Sequence, residues 1–302
     1  MDTYEILFFV EVLVGGLLAG VMYSLVALGF VLIYKASSVF NFAQGAMVFF
    51  AVLSFVGFME LGLHFWIALP VTIGLMILVG VATERFVLRP LVNQSDDTLL
   101  MATIGLAFVL EGAAQLAWGV EVRRLDLGIP DVPLTWLADL TGIFVSALDI
   151  TAGVVAGVLV AGLAILFSKT KAGLGLRAVA DSHAAAQSIG IPLKNVWMMV
   201  WATAGIVALV AGMLWGARSG VQFALIWIAL KALPVMIIGG FTSVPGVIVA
   251  GLIVGASEKL AEVYIGPYFG GGIEGWSPYV LAVIFLIFRP EGLFGERHIR
   301  RV

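Results

Sequence analysis

Residues 168–195 read SKTKAGLGLRAVADSHAAAQSIGIPLKN, and the fold follows from what flanks them. Ile150–Phe167 on one side and Val196–Trp215 on the other are almost wholly apolar. At 1.5 Å rise per residue, runs of this kind cross a hydrocarbon core of about 30 Å, so the hydrophilic stretch between them lies outside the bilayer. Lys169, Lys171, Arg177 and Lys194 put it on the cytoplasmic side, because Lys and Arg in short loops near span ends stay behind during insertion. Within it Leu176, Val179, Ala180, Ala184, Gln187 and Ser188 recur at helical spacing, and Gly190 and Pro192 supply a stop. The spacing predicts one short cytoplasmic helix.

Composition extends that reading to the whole chain. Of 302 residues, 62% are hydrophobic and 12% charged, against about 25% charged in an average soluble domain, and one soluble core cannot hide that much apolar surface. An all-α polytopic membrane protein is expected. The net charge of −3 carries little meaning as a sum, since charge in such a protein is informative by side, and no basic patch points to nucleic acid. There is no Cys, and His64, His183 and His298 are far apart in sequence, which argues against thiolate zinc sites, iron–sulfur ligation and disulfides; no metal site is expected. The N-terminus carries Asp2, Glu5 and Glu11 instead of a basic region, and its apolar run exceeds a signal-peptide length, so the first span is expected to remain.

Taken in order, spans are expected at about Val10–Tyr34, Phe42–Met59, His64–Val87, Leu99–Trp118, Ile150–Phe167, Val196–Trp215, Phe223–Phe241, Gly246–Val263 and Tyr279–Phe288. That makes nine transmembrane helices, or eight if the seventh segment is re-entrant. Gly119–Asp149, with Pro130, Pro133 and several Asp, is too polar and too proline-broken to cross, and forms an extracytoplasmic segment at 119–149. With the N-terminus outside, nine spans place Lys35, Arg85, Arg89, the cations of the 168–195 loop, Arg289, Arg297, Arg300 and Arg301 in the cytoplasm, leaving Arg123, Arg124 and Arg218 outside. The C-terminus is then cytoplasmic. Glycines four apart occur at Gly16/Gly20, Gly153/Gly157, Gly212/Gly216 and Gly251/Gly255, the spacing by which helices approach closely in lipid. The whole chain, 1–302, reads as a single transmembrane domain.

Residues that could carry chemistry are few. No Lys follows a Gly, so no Walker A loop exists here and any ATP must be held by another subunit; HExxH and a GxSxG before a helix are likewise missing. Ionisable groups within spans are functional candidates because they are costly in lipid. Glu111 and Gln115 share one face of the fourth span, and Lys231 interrupts the seventh; these residues read either as a structural Glu111–Lys231 ion pair or as groups lining or gating a path. Glu258, Lys259 and Glu262 sit near a span end, where snorkelling is the ordinary explanation. Asn41 and Gln44, beside Phe40 and Phe42, mark a polar break that either caps a helix or meets solute in a cavity. In the 168–195 loop, small side chains at Ala184, Ala185 and Ala186 would let a partner's groove approach, with Arg177 and Asp181 able to pair at its rim. A plain solvated connector is the alternative.

Several blocks in order resemble one family: ALGFVLIYKASSVFNFAQGAMVFFAV at Ala27–Val52, ERFVLRPL at Glu84–Leu91, MATIGLAFVLEG at Met101–Gly112, GLRAVADSHAAAQSIGI at Gly175–Ile191, KALPVMIIGGFTSVPGVIVAGLIVG at Lys231–Gly255 and FRPEGLFG at Phe288–Gly295. These are similar to the inner-membrane permease subunits of ABC importers for branched-chain amino acids, within the hydrophobic amino acid uptake group. The resemblance implies a bacterial inner-membrane subunit that works with a second related permease, two cytoplasmic ABC ATPases using ATP and Mg, and an extracytoplasmic substrate-binding protein, while this chain binds no cofactor itself and is not an enzyme. It also implies that the loop is a coupling helix between the fifth and sixth spans, carried by Arg177, Asp181, His183, Ala184, Ala185 and Gly190. His183 departs from the acidic residue usual before the Ala-Ala pair, which leaves the polar contact at that position open.

The expected mechanism is alternating access, with the partners' ATP cycle moving the coupling helix. Asn41, Gln44, Glu111, Gln115 and Lys231 are the candidates for the path. Its apolar walls suit leucine, isoleucine or valine, and urea, short amides or aromatic acids nearly as well. The reading from another class is a stand-alone carrier or channel that uses Glu111 and Lys231 for charge coupling.

Overall fold

Long apolar runs interrupted by short polar breaks become helices because lipid leaves the backbone no other hydrogen-bond partner. The computed structural model describes residues 3–91 and 94–295. The cations Arg297, Arg300 and Arg301, with His298 and Asp2, lie outside the described residues, as do the side chains of His183 and Ala184.

The helices are α1 (Thr3–Ser37), α2 (Gln44–Glu60), α3 (Phe65–Ala82), α4 (Asp96–Trp118), α5 (Thr135–Thr141), α6 (Ala147–Lys169), α7 (Lys171–Asp181), α8 (His183–Ser188), α9 (Leu193–Ser219), α10 (Ile226–Gly239), α11 (Val244–Tyr264), α12 (Gly266–Phe269) and α13 (Ser277–Phe288). The described residues hold no strand, only isolated bridges at Arg123/Val221 and Pro133/Ser146. Among the described residues six helices are long and apolar enough to cross a membrane, and α2, the Phe223–Gly239 stretch that contains α10, and α13 are shorter apolar helices. All nine expected segments are thus helical, and the polytopic all-α fold stands.

Boundaries differ in informative places. The first helix begins at Thr3, ahead of the expected Val10, and at 35 residues runs about 50 Å. The third leaves α-geometry at Thr83, where a π-helical turn, Thr83–Leu88, and a 3-10 turn, Arg89–Leu91, carry it to its end. Pro90 has no N–H to continue the ladder.

The chain divides into two compact units. One comprises 1–27, 126–160 and 231–302, the other 28–125 and 161–230. In the first, α1 and α11 run antiparallel with their glycines face to face: a Cβ on Gly16 would stand 2.7 Å from the Gly255 oxygen, and one on Gly251 would stand 2.6 Å from the Gly20 oxygen. Ser24, one turn on, donates to Val247 O at 3.2 Å. In the second unit α2 and α3 pack along α9, where Gly80 abuts the Trp201–Ala202 backbone and Gly212 abuts Val48 O. Trp197 of α9 is buried and donates to Ala36 O at 2.9 Å.

Candidate functional site

The loop that decides the fold is built as two helices. Thr170 caps α7 by accepting from Gly173 N at 3.3 Å, and α7 turns back on the end of α6 so closely that a Cβ on Gly173 would meet the Phe167 backbone. Leu176 and Val179 are buried at 1% exposure each, which fixes the inner face. Arg177 donates through Nη1 to Phe167 O at 3.2 Å and to Ser168 O at 3.1 Å, a cation satisfying carbonyls at a helix C-terminus. The guanidinium therefore anchors the segment to α6.

The single expected helix is broken at Ser182, whose backbone is extended (φ −164°, ψ 116°). Its hydroxyl accepts from Ala185 N at 3.2 Å, so the residue ends α7 and caps α8, the usual preference of Ser for caps over helix interiors. In α8 Ala186 turns inward with 1% exposure, while Ala185, Gln187 and Ser188 are exposed. Gly190 ends it at φ +85°, with Gly190 N on Gln187 O and Ile191 N on Ala186 O, each at 3.0 Å; the left-handed residue is the reason for glycine. Beside this turn lies a groove of about 520 Å³ between α7 and the start of α9, lined by Lys171, Leu174, Gly175, Gly190, Pro192 and Met199.

At the polar break, Asn41 and Gln44 are both fully buried. Asn41 Oδ1 accepts from Ala43 N at 3.0 Å, and its Nδ2 donates to Gln44 Oε1 at 3.2 Å. Thr103 of α4 reaches across, accepting from Phe42 N at 3.3 Å and donating to Phe40 O at 3.2 Å. Ser38 takes φ +57° to turn the chain out of α1. Asn41 thus closes the turn that leads into α2. Gln44 Nε2 has no hydrogen-bond partner among the described residues and lies over Gly29, where any side chain would collide with it.

Of the intramembrane candidates, Gln115 Nε2 donates to Glu111 Oε1 at 3.3 Å. Lys231 Nζ donates to Glu258 Oε1 at 3.0 Å, so its carboxylate partner is Glu258 and not Glu111. The same oxygen accepts from Tyr23 OH at 3.0 Å. Glu258 is 3% exposed, which overturns the snorkelling expected for it. Among the described residues no three His, Asp or Glu are grouped closely enough to hold a metal ion.

With this geometry in hand, the comparisons with known proteins become specific. The model of the family described as "Branched-chain amino acid transport system / permease component" matches residues 12–288. The chain belongs to that family. Similar relatives include the high-affinity branched-chain amino acid transport system permease protein BraD of Pseudomonas aeruginosa, 26% identical with 99% of each chain covered. LivH of Escherichia coli K12 is 23% identical, again over 99% of each. The probable LivH of Methanocaldococcus jannaschii is 28% identical over 94% of this chain and 92% of its own.

The permease has one buried cluster that sequence reasoning passed over, and a signal for it was present. Gly16, Gly20 and Tyr23 follow one another by four and three residues, as do Gly251, Gly255 and Glu258, so each polar group shares a face with its helix's glycines. Helical side chains lean toward their own N-terminus. On antiparallel helices Tyr23 and Glu258 therefore lean toward each other.

Proposed function

We propose that this permease forms the solute path of an ATP-driven ABC importer and works as one transmembrane permease domain, residues 1–302, with branched-chain amino acids as cargo. The observation that carries the reading is the family match across 12–288, joined by three relatives whose names all give that cargo. The complete importer consists of this chain, a second related permease, two cytoplasmic ATPases that use ATP and Mg, and an extracytoplasmic binding protein. The protein is multi-pass in the bacterial inner membrane, N-terminus outside and C-terminus in the cytoplasm, with 119–149 extracytoplasmic and the loop 168–195 cytoplasmic.

In this reading α8 seats in a groove of the ATPase, the contact carried by Arg177, Asp181, His183, Ala184, Ala185 and Gly190. Support comes from the exposed small side chain at Ala185 and from the two carbonyls on which Arg177 holds the segment. A push on α8 passes through α7 to the end of α6 and through the Gly190–Pro192 turn to α9, and the spans tilt to open the path alternately outward and inward.

The test uses the assembled importer in proteoliposomes. Ala185→Trp adds bulk at the contact, and Gly190→Pro removes both the positive φ and the N–H that Gly190 gives Gln187. Each should lower solute-stimulated ATP hydrolysis at least about tenfold, equivalent to about 1.4 kcal/mol of coupling, while membrane insertion is unchanged. Leucine uptake by the permease alone in liposomes without ATP would overturn the reading, as would normal coupling in both variants.

A further inference from the structure

The groove of about 520 Å³ between α7 and the start of α9 shares only Gly190 with the contact proposed for α8, and its chemistry changes along its length. Leu174 of α7, Ile191 of the turn, and Val196 and Met199 of α9 make its lining apolar. Val196 and Met199 belong to the run that crosses the hydrocarbon core, Met199 about 9 Å along α9 from Leu193. Lys171 and Asn195 are the polar residues of the lining, and both are exposed. Lys171 stands two residues beyond Lys169, the last residue of α6. Because α6 is one of the spans, this puts the ammonium at the level of the lipid head groups. Leu174, beside it on α7, is 59% exposed, an apolar side chain where a helix facing water would carry a polar one. The loop is also one-sided in charge. Asp181 is the single acid of residues 168–195, and Arg177 is engaged by the carbonyls of Phe167 and Ser168. Lys169, Lys171 and Lys194 are exposed, with no carboxylate partner among the described residues.

We propose that this groove binds one anionic phospholipid of the surrounding bilayer, with an acyl chain lying over Leu174, Ile191, Val196 and Met199 and the phosphate meeting the Lys171 ammonium. Its volume falls within the roughly 300–1,000 Å³ of small-molecule sites. Its apolar wall is continuous with a span, and its cations carry no compensating charge, the arrangement by which basic pockets between membrane helices hold anionic head groups. A zwitterionic head group gains less there, because its own ammonium is repelled by the same lysines. A soluble phosphate ester would leave the apolar wall uncovered. A segment of a cytoplasmic protein would have to pass the head-group level to reach Met199, whereas a lipid chain already lies at that depth. The lipid site is independent of the cargo and requires only that α6 and α9 cross the membrane.

The experiment places the assembled importer in phosphatidylcholine nanodiscs that contain a small fraction of phosphatidylglycerol with a diazirine in its acyl chain, and maps the photo-cross-links by mass spectrometry. Phosphatidylcholine with the same labelled chain is the second probe. Wild type should cross-link within residues 171–199, with at least about fivefold more product from labelled phosphatidylglycerol than from labelled phosphatidylcholine. That ratio is the preference of about 1 kcal/mol conferred by one lysine near the membrane surface. Lys171→Glu should abolish the preference, and Lys171→Arg should keep it. Gly175→Leu tests the apolar part of the site. Gly175 lines the groove, and a Cβ there stands 3.7 Å from Val196 Cγ2, an ordinary contact, so the larger side chain extends into the groove without displacing backbone. It should cut cross-linking by both lipids about tenfold and leave their ratio unchanged. Excess glycerol 3-phosphate should not compete; competition would make this a site for a soluble phosphate ester and overturn the lipid assignment. Equal yields from the two lipids in wild type, or a preference that survives Lys171→Glu, would refute the site. Cross-links that form with the permease alone and vanish when the ATPases are bound would assign the groove to the partner and overturn it as well.

Discussion

Gly251→Ala is the sharpest probe of how the first unit is held together. The new methyl would sit 2.6 Å from the Gly20 carbonyl oxygen and closer still to Ser24 Oγ, where ordinary contact begins near 3.4 Å. A backbone oxygen cannot rotate aside, so α1 and α11 must part by about 0.8 Å, the kind of overpacking that costs about 1–3 kcal/mol. The same displacement stretches Ser24–Val247 from 3.2 Å and Tyr23–Glu258 from 3.0 Å beyond hydrogen-bond range. Their loss adds about 1 kcal/mol for the neutral bond and about 2 kcal/mol for the charge-assisted one. A total of about 4–6 kcal/mol corresponds to a fall in Tm of about 10–20 °C, measured by thermal unfolding of the detergent-purified protein with size-exclusion readout. Gly162→Ala is the control, because a Cβ there meets nothing within 4 Å, and alanine in an open helical position stabilises by up to about 1 kcal/mol. Equal Tm values for Gly251→Ala and Gly162→Ala would refute the account of backbone contact.

Three further perturbations test the second unit. Arg89→Ala removes a bidentate partner, at 2.8 Å and 3.0 Å, from Glu84, which is 1% exposed; because Arg89 itself is 45% exposed, the cost is discounted to about 1–2 kcal/mol, and a double-mutant cycle with Glu84→Gln that shows no coupling would sink it. Asn41→Ala should destabilise by about 2–3 kcal/mol, since it takes the acceptor from Ala43 N and the donor from Gln44 Oε1, whereas Gln44→Met should cost about 1 kcal/mol, because it breaks only the second of these bonds and removes an Nε2 that has no partner among the described residues; the reverse order in thermal unfolding would refute the assignment of Asn41 as the main support of the turn.

Much of this was legible because membrane helices leave coarse marks. Each of the four glycine spacings proved to be a packing site: Gly153 faces Leu18, Gly212 and Gly216 face Val52, and the other two pairs face each other. The break at Ser37–Gln44 was visible as polar residues between apolar runs, and the stop at Gly190 as a residue for which positive φ carries no penalty. The split of the loop helix was not legible, because alanines on both sides of Ser182 favour helix and only the local geometry shows its hydroxyl serving as the cap of α8. Glu258 was misread for a related reason. Six residues from the end of α11, either a snorkelling or an inward rotamer is sterically open, and the choice depends on Tyr23 and Lys231, which are distant in sequence.

The two polar features differ in what their bonding leaves open. At Asn41–Gln44 the donors and acceptors turn on each other and on Thr103, and the atom left over is an amide nitrogen pressed against Gly29, with no room for a solute on that side. At Glu258 the leftover atom is a carboxylate oxygen, buried like that nitrogen, beside a lysine side chain that is 28% exposed. The amide break fixes the angle at which the chain enters α2. The carboxylate, by contrast, concentrates both of its bonds on one oxygen. Each feature therefore fixes how helices meet within its own unit, the amide break by closing a turn between α1 and α2 and the carboxylate by joining Tyr23 of α1 to Lys231 of α10.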